Sequence, residues 1–290
     1  MASDAEFRPF RLDRPVRQTV PFVFASPHSG RHYPASLLER SRLDATTLRR
    51  SEDAFVDELF AGAIGLGAPL LAAHFPRALL DVNRGMAELD AGMFHGALGV
   101  PVDTPSPRVV AGLGVIPRIV RDGAEIYRGK LDSREADARL TALYRPYHQA
   151  LAELMAETRA LFGVAVLIDC HSMPSALSVP DIVLGDRYGA SASPQLTARA
   201  EAAFVREGFS VVRNTPYAGG HTTTLHGRVA AGCHALQIEI NRALYLDEER
   251  IAKKAVFETM RARLTRAMRI LTTIPLSQLG RPDSLPEAAE

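Results

Sequence analysis

The chain has 290 residues, of which 47% are hydrophobic and 23% are charged, and its formal net charge is +1. This is ordinary globular composition, enough for one large α/β domain, which we expect to span residues 1–290 with a polar tail from about residue 279. Lysines and arginines are dispersed and no apolar run is long enough to cross a bilayer, so we expect neither nucleic acid nor a membrane as a partner. Residues 1–15 lack an apolar signal core, and Cys170 and Cys233 are too few for a disulfide framework, which indicates a reduced, cytoplasmic protein.

Short apolar runs bounded by turn residues predict the strands of a sheet. They lie at residues 20–26, 68–73, 78–82, 164–169, 181–185, 209–214 and 234–240. Apolar residues at helical spacing predict four helices, at residues 51–65, 133–161, 194–208 and 247–272. Ser51 is the expected N-cap of the first helix, and Pro146 should kink the second or divide it into two.

The alternation of strands and helices predicts an α/β fold in three layers, with a mixed, mostly parallel sheet and helices on both faces. Between residues 84 and 125 the chain is rich in glycine and proline and has no long predicted element. A stretch of this length inside a domain is usually a lid or a binding loop.

Polar side chains recur at the predicted carboxyl ends of four strands, where folds of this class bind their ligands. These residues are His28, the pair Asn83 and Arg84, His171, and the pair Glu239 and Asn241. Each has an ordinary structural interpretation when taken alone: a hydrogen-bonded histidine, a capping turn or an acid on an edge strand. Their occurrence together favours a functional site.

Two histidines and a carboxylate that leave one coordination position open are typical of zinc hydrolases. A separate glutamate can take a proton from the attacking water and pass it to the leaving amine, and an arginine can hold a substrate carboxylate. The set therefore fits metal-assisted cleavage of an amide whose amine side carries a carboxylate.

The chain resembles the N-formylglutamate amidohydrolases, also called N-formylglutamate deformylases, along nearly its whole length. The resemblance lies in SPHSGRHYP (26–34), SEDAFVDEL (51–59), LLDVNRG (79–85), YRPYHQAL (144–151), DCHSMP (169–174), YAGGHTT (217–223) and QIEINR (237–242). That family is similar to the zinc carboxypeptidases in fold and metal site, so the resemblance implies the same α/β architecture here.

The resemblance also implies roles for individual residues. It makes His28 and His171 zinc ligands, Asn83 and Arg84 binders of the substrate carboxylate, and Glu239 the base.

The sequence leaves two alternatives for the third metal ligand. Carboxypeptidase-like sites place a glutamate three residues after the first histidine, and this chain has Arg31 there. Asp53 is our choice for the third ligand, and Glu52 is the alternative. On a helix their side chains would point about 100° apart, so only one of them could face the metal. Asp53 could equally be an ordinary acid at a helix N-terminus.

The segment GGHTTTLHGR (219–228) is expected to form a glycine-hinged loop that closes over the substrate, with His221, Thr222 and Arg228 as contacts. An ordinary polar turn is the alternative. Arg118 and Arg121 are further possibilities for a second substrate carboxylate.

Cys170 offers a different mechanism, in which a thiol attacks the substrate. Strand alternation points its side chain away from His171, so a role in the core is expected.

The activity implied by the resemblance is hydrolysis of N-formyl-L-glutamate to formate and L-glutamate, a step of histidine degradation, with one zinc ion as cofactor and a small N-acyl amino acid as substrate. Two alternatives stay open. The first is a zinc deacylase for a different N-acyl amino acid. The second is a non-catalytic relative that binds acylated amino acids, which would be expected to have lost the ligand histidines or the base.

Overall fold

A seven-stranded sheet lies at the centre of the computed structural model, which describes residues 7–102, 106–120, 123–175 and 180–280. Its strands are β1 (Phe10–Asp13), β2 (Phe22–Ser26), β3 (Leu70–Ala73), β6 (Ala165–Met173), β7 (Ile182–Gly185), β8 (Val211–Arg213) and β9 (Cys233–Asn241). Two further pairs of short strands are β4 (Phe94–His95) with β5 (Leu131–Asp132), and β10 (Leu246–Asp247) with β11 (Ala252–Lys253).

The strand order is β1-β3-β2-β6-β9-β7-β8, and β3, β2, β6 and β9 run parallel to one another. The edge strand β1 and the β9–β7 pair are antiparallel. The predicted mixed, mostly parallel sheet is therefore confirmed.

Helices cover both faces of the sheet. They are α1 (Ala35–Arg40), α2 (Ala45–Arg49), α3 (Val56–Leu59), α4 (Pro107–Val110), α5 (Ser133–Arg139), α6 (Arg145–Phe162), α7 (Pro194–Arg206), α8 (His221–His226) and α9 (Phe257–Thr272). Helices α3, α7 and α9 pack into one hydrophobic core, whereas α5 and α6 pack into the other, on the opposite face of the sheet. This gives the three expected layers. No helix among the described residues combines the length and the apolar character needed to cross a bilayer.

Alternation along β6 explains how a fully buried strand carries polar groups. Ile168 and Cys170 point into the core of α7 and α9, and Leu167 points into the core of α6. Asp169 and His171 continue the face of Leu167 beyond the end of that second core. The strand therefore presents its polar residues at its carboxyl end, on the α6 side.

Two predicted elements of the first half are wrong. Residues 78–82 form an irregular buried segment in place of a strand, because the amide of Leu79 bonds to the carbonyl of Pro76 and closes a turn. The predicted helix at 51–65 begins only at Val56 and continues as a 3-10 helix over Ala61–Leu66. Ser51 is not its cap, since its hydroxyl donates to the carbonyl of Leu48.

The second half departs once from the predicted helices. Residues 246–253 form the β10–β11 hairpin, so the last helix begins at Phe257 and not at Asp247. The long pattern over 133–161 is two helices in sequence, as expected, and a π-helical segment, Leu140–Tyr144, joins them just before Pro146. The polar tail was expected from about residue 279, but Leu279 is buried at the end of a 3-10 helix, Leu276–Leu279; residues 281–290 lie outside the described residues.

Candidate active site

Two histidines and one aspartate meet at the carboxyl edge of the sheet. His28 follows β2, His171 lies in β6, and Asp53 lies in the turn before α3, where its backbone amide bonds to the carbonyl of His28 at 2.9 Å. Nδ1 of His171 is 3.0 Å from Oδ2 of Asp53, and Nδ1 of His28 is 3.3 Å from the same oxygen. All three side chains are buried. They form a compact group that could hold a metal ion.

The other nitrogen of each histidine faces a carboxylate. Nε2 of His28 is 2.8 Å from Oδ1 of Asp81, and Nε2 of His171 is 3.0 Å from Oδ2 of Asp169. With a metal ion bound, a proton on Nε2 would satisfy each carboxylate and leave the lone pair of each Nδ1 for the ion. A carboxylate behind each ring is the usual arrangement for histidines that bind a metal.

The distances from Asp53 to the two histidine nitrogens fit a metal ion. Atoms around a tetrahedral ion with bonds of about 2.0–2.1 Å lie roughly 3.3 Å apart, close to the two distances from Asp53 to Nδ1. In the metal-free protein, burial alone would raise the pKa of Asp53, but the hydrogen bonds from His171 and His28 and the charge of Arg242 hold it well below its usual range. Asp53 is therefore an anion, as a metal ligand must be.

The structure brings Asp53, and not Glu52, to the histidines. The other oxygen of Asp53, Oδ1, accepts a hydrogen bond from Arg242 at 2.8 Å. Glu52 is engaged elsewhere, by the guanidinium of Arg49 at 3.0 and 3.1 Å and by the hydroxyl of Tyr33 at 2.8 Å. The choice between them does not depend on helical geometry, because both residues precede α3.

Glu239 lies beside the metal-ligand group on the neighbouring strand. It is the register partner of His171 across the parallel β6–β9 pair, so the two side chains share a face. Gln237 donates a hydrogen bond to Oε1 of Glu239 at 2.9 Å. Burial raises the pKa of this carboxyl to about 7, against the opposing charge of His171. A carboxyl with such a pKa can both accept and release a proton near neutral pH.

A cavity of about 500 Å³ opens onto these residues. The described residues that line it include five arginines, Arg50, Arg77, Arg84, Arg108 and Arg242, and three carboxylates, Asp53, Asp81 and Glu239. Arg77 pairs with Asp81 at 2.9 Å and Arg242 with Asp53 at 2.8 Å. Arg50 and Arg108 are exposed, and their side chains make no hydrogen bond or ion pair with the described part of the chain. With five arginines against three carboxylates, the described lining of the cavity is predominantly positive before any ion binds.

Comparison with known proteins decides the family. A family model described as N-formylglutamate amidohydrolase matches residues 20–246. The chain belongs to this family. The N-formylglutamate deformylase of Pseudomonas aeruginosa is 34% identical over 246 residues, which cover 80% of this chain and 85% of that protein. That of Pseudomonas putida is 28% identical, over 79% of this chain and 83% of that protein. The crystal structure of N-formylglutamate amidohydrolase from Ralstonia eutropha JMP134 is 35% identical, with a TM-score of 0.86 over 91% of this chain and 98% of that one.

The predicted substrate binders of this family member fall into two groups. Asn83 and Arg84 line the cavity. Arg84 donates from Nε to the carbonyl of Leu113 at 3.0 Å and from Nη1 to that of Asn83 at 2.9 Å. His221 and Thr222 are not among the described residues that line the cavity, but they contact residues close to it. Nε2 of His221 is 3.2 Å from the hydroxyl of Tyr144, and the amide of Thr222 donates to Oδ1 of Asn83 at 2.9 Å.

The segment 219–228 differs from the predicted loop. Residues His221–His226 form helix α8, and the residues before it, 216–220, contribute to the cavity wall. Arg228 is exposed, and its backbone pairs with Cys233 at the start of β9, the end opposite Glu239. The structure therefore does not support the expected contact of Arg228 with substrate.

Two other arginines and the cysteine can also be placed. Arg118 lies near Asp90 at 3.6 Å and Glu125 at 3.4 Å and does not line the cavity, and Arg121 is outside the described residues. Cys170 points into the core on the other face of the sheet, as predicted, and burial raises the pKa of its thiol well above the usual range. A thiolate nucleophile is thus unfavourable.

Several residues of the site were not predicted. Alternation along β6 places Asp169 on the same face as His171, whereas Asp81 lies in the irregular segment 78–82, where strand alternation does not apply. Arg242 is the last residue of the matched segment QIEINR, which offered a signal of proximity. Arg50 and Arg108 lie in irregular or short elements whose sequence carries no such signal.

Proposed function

We propose that this protein is a zinc-dependent hydrolase that cleaves N-formyl-L-glutamate to formate and L-glutamate, a reaction of histidine degradation. The observation that carries the proposal is the buried group of His28, Asp53 and His171 beside Glu239, at the base of an arginine-lined cavity. Relatives that carry the name N-formylglutamate deformylase support the substrate.

The charge of the cavity supports a substrate with two carboxylates. Five arginines against three carboxylates in its lining favour an anionic substrate, and N-formylglutamate carries two negative charges. Arg84, a buried residue of the cavity lining, is our choice for the α-carboxylate. Arg50 and Arg108, whose side chains make no hydrogen bond or ion pair with the described residues, are our choices for the side-chain carboxylate.

The proposed metal ligands are His28, Asp53 and His171, whose rings and carboxylate are held by Asp81, Asp169 and Arg242. A zinc ion bound there would supply a Lewis acid that polarises the formyl carbonyl and lowers the pKa of water.

Glu239 moves the proton in the proposed reaction. Its carboxylate takes a proton from the attacking water as the oxygen bonds to the formyl carbon. It then delivers that proton to the nitrogen as the carbon–nitrogen bond breaks, so formate and the free amino group leave together. Burial raises the pKa of this carboxyl in the metal-free protein to about 7, which favours a group that must gain and lose a proton in each turnover.

Formate release from N-formyl-L-glutamate by the purified protein tests the proposal. The assay is run before and after treatment with a chelator, and again after zinc is added back. We expect the activity to be lost with the chelator and restored by zinc. N-acetyl-L-glutamate and N-formyl-L-alanine serve as comparison substrates for the acyl group and the second carboxylate. Activity that is indifferent to chelation would refute the metal mechanism, and preference for the acetyl substrate would refute the assigned acyl group.

We also propose a cytoplasmic location. Both cysteines are buried and neither forms a disulfide, as expected in a reducing compartment. Cell fractionation with an antibody to this protein would test it, and recovery from a membrane or an exported fraction would contradict it.

A further inference from the structure

The side-chain amide of Asn83 has a fixed orientation. Its Oδ1 accepts a hydrogen bond from the backbone amide of Thr222 at 2.9 Å. A backbone N–H can only donate, so this bond assigns oxygen and nitrogen without ambiguity. Nδ2 of Asn83 must therefore be the atom that faces the metal-ligand group.

On that side, Nδ2 meets His171 and the carboxylate behind it. It lies 3.2 Å from Nε2 of His171 and 3.5 Å from Oδ2 of Asp169. Nε2 itself is 3.0 Å from the same oxygen and carries the proton when Nδ1 faces a metal. Two donors, from His171 and from Asn83, thus converge on one oxygen of Asp169, which is completely buried. A carboxylate buried in this way needs hydrogen-bond donors to offset its loss of hydration.

The backbone of Asn83 completes a link between the two histidines. Its amide donates to Oδ1 of Asp81 at 2.8 Å, the oxygen that faces Nε2 of His28. One residue therefore contacts both carboxylates that orient the histidine rings.

Gly220 holds the amide from the cavity side. A Cβ added there would lie 2.5 Å from Nδ2 of Asn83 and closer still to Oδ1. The backbone of Gly220 has φ −105°, which any residue can adopt, so close packing against Asn83 is what excludes a side chain. Asn83 borders the cavity and is only 4% exposed, and both ends of its amide are already used.

We infer that Asn83 is a positioning residue and not a ligand for the substrate carboxylate. Its amide fixes Asp169 and the ring of His171 for metal binding, and it connects them to the cavity wall at Gly220. The inference rests on the proposed metal centre but not on the identity of the substrate. The inference concerns Asn83 alone. The role that the family resemblance implies for Arg84, binding of the substrate carboxylate, is unchanged.

The test compares zinc affinity with substrate affinity. Zinc-loaded wild type, Asn83→Ala and Asn83→Asp are titrated with a chromophoric zinc chelator at fixed pH, and KM and kcat are measured at saturating zinc. Loss of a group that orients a metal-binding histidine typically weakens metal binding by about 10- to 100-fold, and we expect this for Asn83→Ala with KM changed less than about twofold. Asn83→Asp should bind zinc more weakly still, because its carboxylate cannot donate to Asp169 and repels it.

Gly220→Ala provides a second route that leaves Asn83 intact. Its Cβ should displace the amide and weaken zinc binding in the same direction. Gly65→Ala is the matched control, since an added Cβ there meets nothing within 4 Å. If Asn83→Ala fails to fold, Gly220→Ala decides: zinc affinity equal to the control overturns the inference.

For Asn83→Ala itself, unchanged zinc affinity with KM raised tenfold or more would return Asn83 to the substrate site. A wild-type protein that binds no zinc would overturn the metal centre and this inference together. Zinc binding without turnover of N-formyl-L-glutamate would instead contradict only the proposed substrate.

Discussion

Glu239→Gln should lower activity and raise the stability of the metal-free protein at the same time. Glutamine has the size of glutamate, and its Oε1 can still accept the hydrogen bond that Gln237 donates at 2.9 Å. The substitution removes only the charge and the proton-carrying capacity. Loss of a general acid–base group typically reduces kcat by about 10²- to 10⁴-fold, while the zinc ligands stay in place.

The gain in stability follows from the direction of the pKa change. The folded state binds the proton of Glu239 more tightly than the unfolded chain does, so the metal-free wild type loses stability as pH rises from the ordinary range of a glutamate to about 7. A pKa raised from 4.5 to about 7 corresponds to about 3 kcal/mol at pH 8. Glu239→Gln escapes this cost, and its advantage should shrink as pH falls toward 5.

The assay pairs formate release with thermal unfolding of the metal-free protein at pH 5 and pH 8. Glu157→Gln is the control, since Glu157 is an exposed residue of α6 that pairs with Arg14. We expect kcat to fall for Glu239→Gln only, and its Tm at pH 8 to rise by several degrees over wild type. Full activity of Glu239→Gln would show that the base has been assigned to the wrong residue. Loss of activity together with lower stability would mean that the change damages the fold.

Three further substitutions test other parts of the site. Asp169→Asn removes the charge behind His171, so zinc should bind about 10- to 100-fold more weakly in a chelator competition; equal affinity would show that Asp169 does not orient the ligand. Cys170→Ala should retain formate release, because the thiol points into the core on the other face of the sheet, and its small cavity should cost about 1 kcal/mol in denaturant unfolding. An inactive but folded Cys170→Ala would revive a thiol mechanism. Arg108→Ala should raise KM for N-formyl-L-glutamate by about tenfold, which corresponds to the loss of one charge contact of about 1.4 kcal/mol. KM for N-formyl-L-alanine, which has no side-chain carboxylate, should change little. Equal effects on both substrates would exclude contact between Arg108 and the side-chain carboxylate.

The convergence of His28, His171 and Glu239 could be predicted because it depends on short-range rules. Each residue follows or ends a buried strand, and β2, β6 and β9 are parallel neighbours whose carboxyl ends meet. Alternation then decides which side chains share a face, and it also placed Cys170 correctly in the core. The roles of these residues in catalysis stay predictions that the variants above test.

The position of Asp53 was anticipated for a reason that does not hold. On a helix starting at Ser51, the side chains of Glu52 and Asp53 would point in different directions, and only one could face the histidines. Both residues in fact precede the helix. What places Asp53 is a backbone bond from its amide to the carbonyl of His28, 25 residues earlier, which holds the turn out of the helix. A contact of this kind depends on tertiary structure and has no signature in local propensity.

Arg228 shows how the rule that located the histidines could also have excluded a wrong assignment. It lies only eight residues from Gly220 in the sequence, and that nearness suggested a shared loop over the substrate. However, Arg228 precedes β9 by five residues, whereas Glu239 lies near the end of that strand. A residue just before a strand lies at its amino end, and at about 3.3 Å per residue the six positions from Cys233 to Glu239 span roughly 20 Å. Helix α8 carries the chain from the cavity wall to that far end, so the direction of β9, already predicted, places Arg228 outside the site.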